Sequence, residues 1–161
     1  MSKWLADHFG APFLPEFARE YVENLERHYN YDDVEKIARQ QIKQLDQIKM
    51  QEPPLIFIDT WLIITKIWFE EVFNKVPGWL EPEIKKGGID LFLICDTDLP
   101  WIPDNVRENG GERRNYLQQR YIESLEHYGF SYEIISGRNN ARYRNAVSAL
   151  VQAEIIKPIN K

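Results

Sequence analysis

Leu55-Ile56-Phe57-Ile58-Asp59-Thr60 is four apolar residues closed by an acid and a hydroxyl. A continuous apolar run after Pro53-Pro54 predicts a strand buried on both faces, whereas strict alternation would mark a half-solvated one. Leu91 to Cys95, followed by Asp96, repeats the arrangement, and Tyr132 to Ile135 gives a third run. Ala11 to Leu14 is a shorter candidate, stopped by Pro15. Helical patterns fill the intervals. Ser2 to Phe9 ends at Gly10, and Glu16 to Tyr29 carries Phe17, Tyr21, Leu25 and Tyr29 at helical spacing. Asp32 with Glu35 reads as a capping box for a helix running through Val34, Ile37, Ala38, Ile42, Leu45 and Ile48. Trp61 to Phe73, Glu112 to Tyr128 and Asn140 to about Lys157 complete the set. Apolar strands alternating with helices predict an α/β fold, a parallel sheet flanked by helices, in a single domain over residues 1–161.

Composition narrows the function. Apolar residues make up 43% and charged residues 28%, as in an ordinary globular chain. A formal charge of −5 argues against a dedicated nucleic-acid binder, which carries a basic surplus. No apolar run approaches a membrane span, and no basic segment leading into an apolar stretch follows Met1, so neither a membrane anchor nor a secretory signal is expected. The single cysteine, Cys95, forms no internal disulfide and fits a reducing cytoplasm. His8, His28 and His127 have no metal-ligand spacing with each other or with Cys95, and no nucleophile-elbow glycine pattern occurs. Aromatic residues reach 13%, and several stand beside Asp or Pro, where a ring either fills the core or covers a planar ligand.

In parallel α/β sheets the ligand lies beyond the carboxyl ends of the strands. The residues to read are therefore Glu16, Asp59, Asp96 and Ser136. Asp59 fits two roles, a helix-capping acid or a carboxylate that holds magnesium through water or accepts a substrate proton. Glu16 opens a helix with Arg19 one turn on, either a plain ion pair or a ligand-facing one. Asp98 to Gly111 holds two prolines and two glycines and reads as a long loop. Trp101, Asp104, Arg107, Arg113, Arg114 and Arg120 cluster there and in the following helix, as arginines do when they cover a transferring phosphoryl group. With Glu108, Glu112 and Glu123 interspersed, a solvated salt-bridged face is the other reading. Gly137, Arg138, Asn139, Arg142 and Arg144 form a last basic cluster.

Four of these pieces, taken in order, resemble one family. Glu16-Phe17-Ala18-Arg19-Glu20, Phe57-Ile58-Asp59-Thr60, the stretch from Asp98 through Trp101 and Asp104 to Arg107, and Arg142-Tyr143 are similar to the kinase domain of NadR-type ribosylnicotinamide kinases. That P-loop group includes stand-alone AAA-like ATPase domains of bacterial NAD metabolism. The resemblance implies a P-loop nucleoside-kinase fold that uses ATP and Mg²⁺ to phosphorylate a nucleoside-like small molecule. In it, Asp59 would organise Mg²⁺ through water, and Glu16 or Asp59 would orient the attacking hydroxyl. Arg107 and Arg113 would stabilise the transition state, with Arg19, Trp101 and Asp104 on the substrate side. Lys3, Arg114, Arg138 and Arg142 would lie on the nucleotide side, and residues from about 97 to 114 would form the lid.

Family members open with a strand and a Gly-rich loop ending in Gly-Lys-Ser/Thr, and no such motif occurs in these residues. Ser2-Lys3-Trp4-Leu5-Ala6 looks like the remnant of that loop and its helix. The expectation is a chain that begins inside the Walker A motif and lacks the first, central strand, between those ending at Asp59 and Asp96. Impaired turnover would follow, and the unpaired sheet edges would favour self-association. A catalytically silent fragment and a nucleotide-binding ATPase module are the alternatives. Pro15 stands where the family has an aromatic against nicotinamide, and Trp61 where it can have a second acid, so the nucleoside need not be nicotinamide riboside.

Overall fold

The computed structural model describes residues 1–100 and 111–157. The chain divides into two compact units, Met1–Lys85 and Lys86–Lys161.

The first unit is built around one long helix. α1 (Ser2–Phe9) ends at Gly10, whose φ of 62° is the left-handed conformation that glycine adopts at low cost. β1 (Phe13–Leu14) leads into α2 (Phe17–Glu23), and α3 (Tyr31–Lys49) follows. The spacing of Leu25 and Tyr29 predicts a longer α2, but the helix stops at Asn24 because the next residues are committed elsewhere. The Tyr29 ring packs edge-on against Trp68 at 4.9 Å, and Arg27 reaches into the start of α3. The capping box is formed by Asn30 and Asp33 and not by Asp32 and Glu35: the Asn30 side chain accepts from Asp33 N, and Asp33 accepts from Asn30 N.

Asp33 is fully buried, yet satisfied on both oxygens. Oδ1 accepts from Tyr21 Oη at 3.0 Å and Arg27 Nη2 at 3.0 Å, while Oδ2 accepts from Arg27 Nη1 at 2.6 Å. The Arg27 guanidinium, aided by the Asn30 amide and the Tyr21 hydroxyl, holds the Asp33 carboxyl well below the usual carboxylate range despite burial. This clamp ties α2 to α3.

β2 (Phe57–Ile58) pairs in parallel with β1, Phe13 opposite Phe57 and Leu14 opposite Ile58. α4 (Leu62–Trp68) continues into a π-helical turn, Phe69–Phe73, closed by Asn74 at a φ of 48°. α5 (Leu80–Lys86) has no counterpart in the sequence reading, although Leu80 and Ile84 are spaced for one buried face. Just ahead of it, Trp79 Nε1 donates to Glu35 at 2.8 Å, and Arg39 lies 4.0 Å over the Trp79 ring.

In the second unit, β3 (Phe92–Cys95) pairs in parallel with β4 (Tyr132–Ile135), with Cys95 opposite Ile135. α6 (Glu112–Tyr128) and α7 (Asn140–Gln152) are its long helices. α7 ends at Ala153, earlier than its sequence pattern extends, with the Ala153 amide turning back to Ala149 O. The apolar reading of β4 predicts burial on both faces, but Ile134 is 46% exposed while Ile135 is buried. A strand paired along one edge within this sheet is covered less completely than a central strand. No helix among the described residues is long and apolar enough to cross a membrane.

Candidate functional site

The parallel register of β1 and β2 sends both chains out at the same sheet end, one to Glu16 and the other to Asp59. The Asp59 amide extends the ladder by donating to Leu14 O at 2.8 Å, so the acid is held by its own backbone. Its carboxylate is part-exposed and has no partner among the described residues. Thr60 then turns the chain with a φ of 68°, and Trp61 enters the core as the N-cap of α4. A β-branched residue seldom adopts a positive φ.

What holds Thr60 in place comes from α3. Gln41, 2% exposed, donates through Nε2 to Thr60 Oγ1 at 3.1 Å, and its Oε1 accepts from Thr65 Oγ1 at 3.2 Å. Asp33 and Gln41 lie eight positions apart on the buried side of α3, close to two helical turns. One helix therefore anchors both α2, which follows Glu16, and the residue that follows Asp59.

Glu16 is the N-cap of α2 and makes no capping hydrogen bond with its side chain. Arg19 stands between two carboxylates, 3.6 Å from Glu16 and 3.7 Å from Glu23. Lys3, on α1, pairs with Asp7 at 3.0 Å in a solvated contact.

The strand ends of the second unit are cross-linked. Asp98 Oδ2 accepts from the Gly137 amide at 2.6 Å, and Oδ1 pairs with Arg142 Nη2. The buried Arg142 also donates from Nε to Gly137 O at 2.8 Å and from Nη2 to Asp96 O at 3.3 Å. Asn145 donates to Ser136 O at 3.1 Å. Gly137 has a φ of 100°, and a Cβ there would come within 3.3 Å of Arg142 N and Asn145 Nδ2. The loops after β3 and β4 are thus one hydrogen-bonded assembly built around an arginine.

Of the other predicted residues, Arg114 donates to Leu99 O at 2.9 Å, while Arg113 and Arg138 are exposed. Trp101, Asp104 and Arg107 lie outside the described residues, as does most of the expected lid. Glu16, Arg19, Asp59 and Thr60 share one sheet end, and Arg142 and Asp98 share another. Gln41 and Thr65 escaped the sequence reading. Their signal was a glutamine in step with Ile37 and Leu45, a polar residue inside an apolar stripe. Among the described residues no group of three or more His, Cys, Asp or Glu is placed to hold a metal. A magnesium ion at Asp59 would therefore draw its remaining ligands from water and phosphate, which suits that ion.

Short parallel strands alternating with helices make this an α/β protein, an architecture consistent with a P-loop-like fold. The chain belongs to the AAA domain family, which matches residues 1–142. It is 25% identical over 127 residues to the trifunctional NAD biosynthesis/regulator protein NadR of Escherichia coli, and 24% identical over 127 residues to its Salmonella typhimurium counterpart. Each alignment covers 76% of this chain and 31% of the relative, so the match spans about a third of those proteins.

Proposed function

We propose that residues 1–161 form a nucleotide-binding, kinase-like domain that takes Mg·ATP and a nucleoside-like small molecule of the ribosylnicotinamide type. The observation that carries this reading is Asp59, held through its amide at the sheet end from which Glu16 also departs, its carboxylate without a partner among the described residues. A rigidly mounted acid at that position suits a magnesium ion held through water. Magnesium, when bound, neutralises phosphate charge. Glu16 or Asp59 orients the attacking hydroxyl, with Arg19, Trp101 and Asp104 toward the substrate. Arg107 and Arg113 cover developing charge, while Lys3, Arg114 and Arg138 face the nucleotide. Arg142 serves the nucleotide side by holding the loop that carries Arg138. The family match and the similarity to NAD biosynthesis/regulator proteins support the assignment.

The test is calorimetric titration of Mg·ATP, repeated with Asp59→Asn, together with phosphoryl transfer to nicotinamide riboside. Saturable binding weakened about tenfold or more by the substitution is expected. No heat at millimolar nucleotide would overturn the reading for this chain. A second outcome of the same test is binding without turnover. Under it, binding is retained and transfer is not.

The described strands pair only as β1 with β2 and β3 with β4. Two-stranded sheets with edges unpaired among the described strands support association with a second copy. Sedimentation is expected to show a mass that rises with concentration, and a monomer at every concentration would refute the association.

A further inference from the structure

The amide of Gln41 is gripped at both ends, and this gives the contact a direction. Oε1 of Gln41 accepts from the Thr65 hydroxyl and Nε2 donates to Thr60 Oγ1, an orientation in which the Thr60 oxygen is the acceptor. A hydroxyl that accepts still has its own hydrogen to give. No acceptor for that hydrogen exists among the described residues, and Thr60 is part-exposed. Its φ of 68° is one at which glycine would sit without cost. What threonine adds there is the hydroxyl.

We propose that the Thr60 hydroxyl is a ligand-binding donor, oriented by Gln41 and Thr65, that gives its hydrogen to an oxygen of the ligand at the carboxyl end of β2. The inference rests on the kinase-like reading above and adds to it the polarity of the site. Asp59, when ionised, only accepts, and Thr60 gives, so the two neighbours offer an acceptor and a donor. A sugar hydroxyl, which gives one hydrogen and takes another, matches that pair. A phosphate oxygen takes the Thr60 hydrogen alone, and needs a cation to lie near Asp59. Gln41 and Thr65 are positioning residues, since they act through Thr60.

The experiment titrates the 161-residue protein with Mg·ATP, with nicotinamide riboside (a sugar without phosphate) and with magnesium tripolyphosphate (phosphate without sugar). Thr60→Val is expected to weaken binding about five- to tenfold, and Thr60→Ser to restore it to within about twofold. Thr60→Gly is expected to weaken binding similarly; it relieves the positive φ but strips Gln41 Nε2 of its acceptor, so its binding is measured well below its own melting temperature, where a loss reports the missing donor and not a damaged fold. Loss confined to the riboside identifies a sugar oxygen, and loss confined to tripolyphosphate identifies a phosphate oxygen. Val and Gly variants that bind like the wild type, or a Ser variant that fails to restore binding, would overturn the donor role while leaving the kinase-like reading intact. A wild-type protein that binds none of the three probes would overturn that reading, and the donor role with it.

Discussion

The two sheets end in acids that are treated in opposite ways. After β2, Asp59 is fixed through its amide, and its carboxylate is left without a partner among the described residues. After β3, Asp98 spends both oxygens, one on the Gly137 amide and one on the Arg142 guanidinium. In sequence the two look alike, an apolar strand followed at once or nearly so by aspartate. In structure one acid is available for a ligand and the other closes a loop. The difference is made by the helix brought to each strand end: α7 delivers a buried arginine to the second unit's strand ends, whereas α3 delivers a glutamine that engages Thr60 and leaves Asp59 alone.

The most forceful way to break that contrast is to remove the arginine. Arg142→Met should cost about 2 kcal/mol, because Asp98, Gly137 and Asp96 all lose a charge-assisted or backbone partner. Chemical denaturation of the two Asp→Asn variants sharpens the point. Asp98→Asn should destabilise clearly, whereas Asp59→Asn should stay within about 0.5 kcal/mol of the wild type. Equal losses would mean that Asp59 is structural too.

A smaller effect appears on acidification, and it uses Asp33, the first unit's held acid. Its carboxyl lies below the usual range when folded, so the stability it contributes is present above the unfolded value of about 4 and is lost as pH falls below it. Thermal melts between pH 6 and pH 3 should therefore decline. Arg27→Ala, which removes the main cause of the shift, should flatten that decline. A wild-type acid limb unchanged by Arg27→Ala would exclude the clamp as its source.

Much of the fold was legible because punctuation residues carry it. Gly10 takes the left-handed conformation that its position after α1 suggests, and Gly129 closes α6 in the same conformation. The strand at Tyr132–Ile135 is the one that its apolar run predicts. Boundaries failed where a side chain overrode local spacing. Tyr29 follows Phe17, Tyr21 and Leu25 in helical step, yet its ring is used against Trp68 and Phe73. The capping box moved to Asn30 and Asp33 because the second of these is the residue Arg27 can reach. The site divides in the same way. Asp59 stands out by its place after an apolar run, but its difference from Asp98 depends on partners 39 and 44 positions from Asp98. Gln41 was hidden in plain view, since a polar residue in a buried helical stripe declares itself only when its two threonines are brought to it.

The bond from the Asp59 amide to Leu14 joins segments that are distant in the chain and adjacent in the sheet. Such an amide trades its hydrogen for solvent deuterium only when β1 and β2 part. The acid at the centre of the candidate chemistry therefore carries its own gauge. The protection of a single amide reports how often the strand end comes open, and so what fraction of the time Glu16 and Asp59 leave the sheet as neighbours.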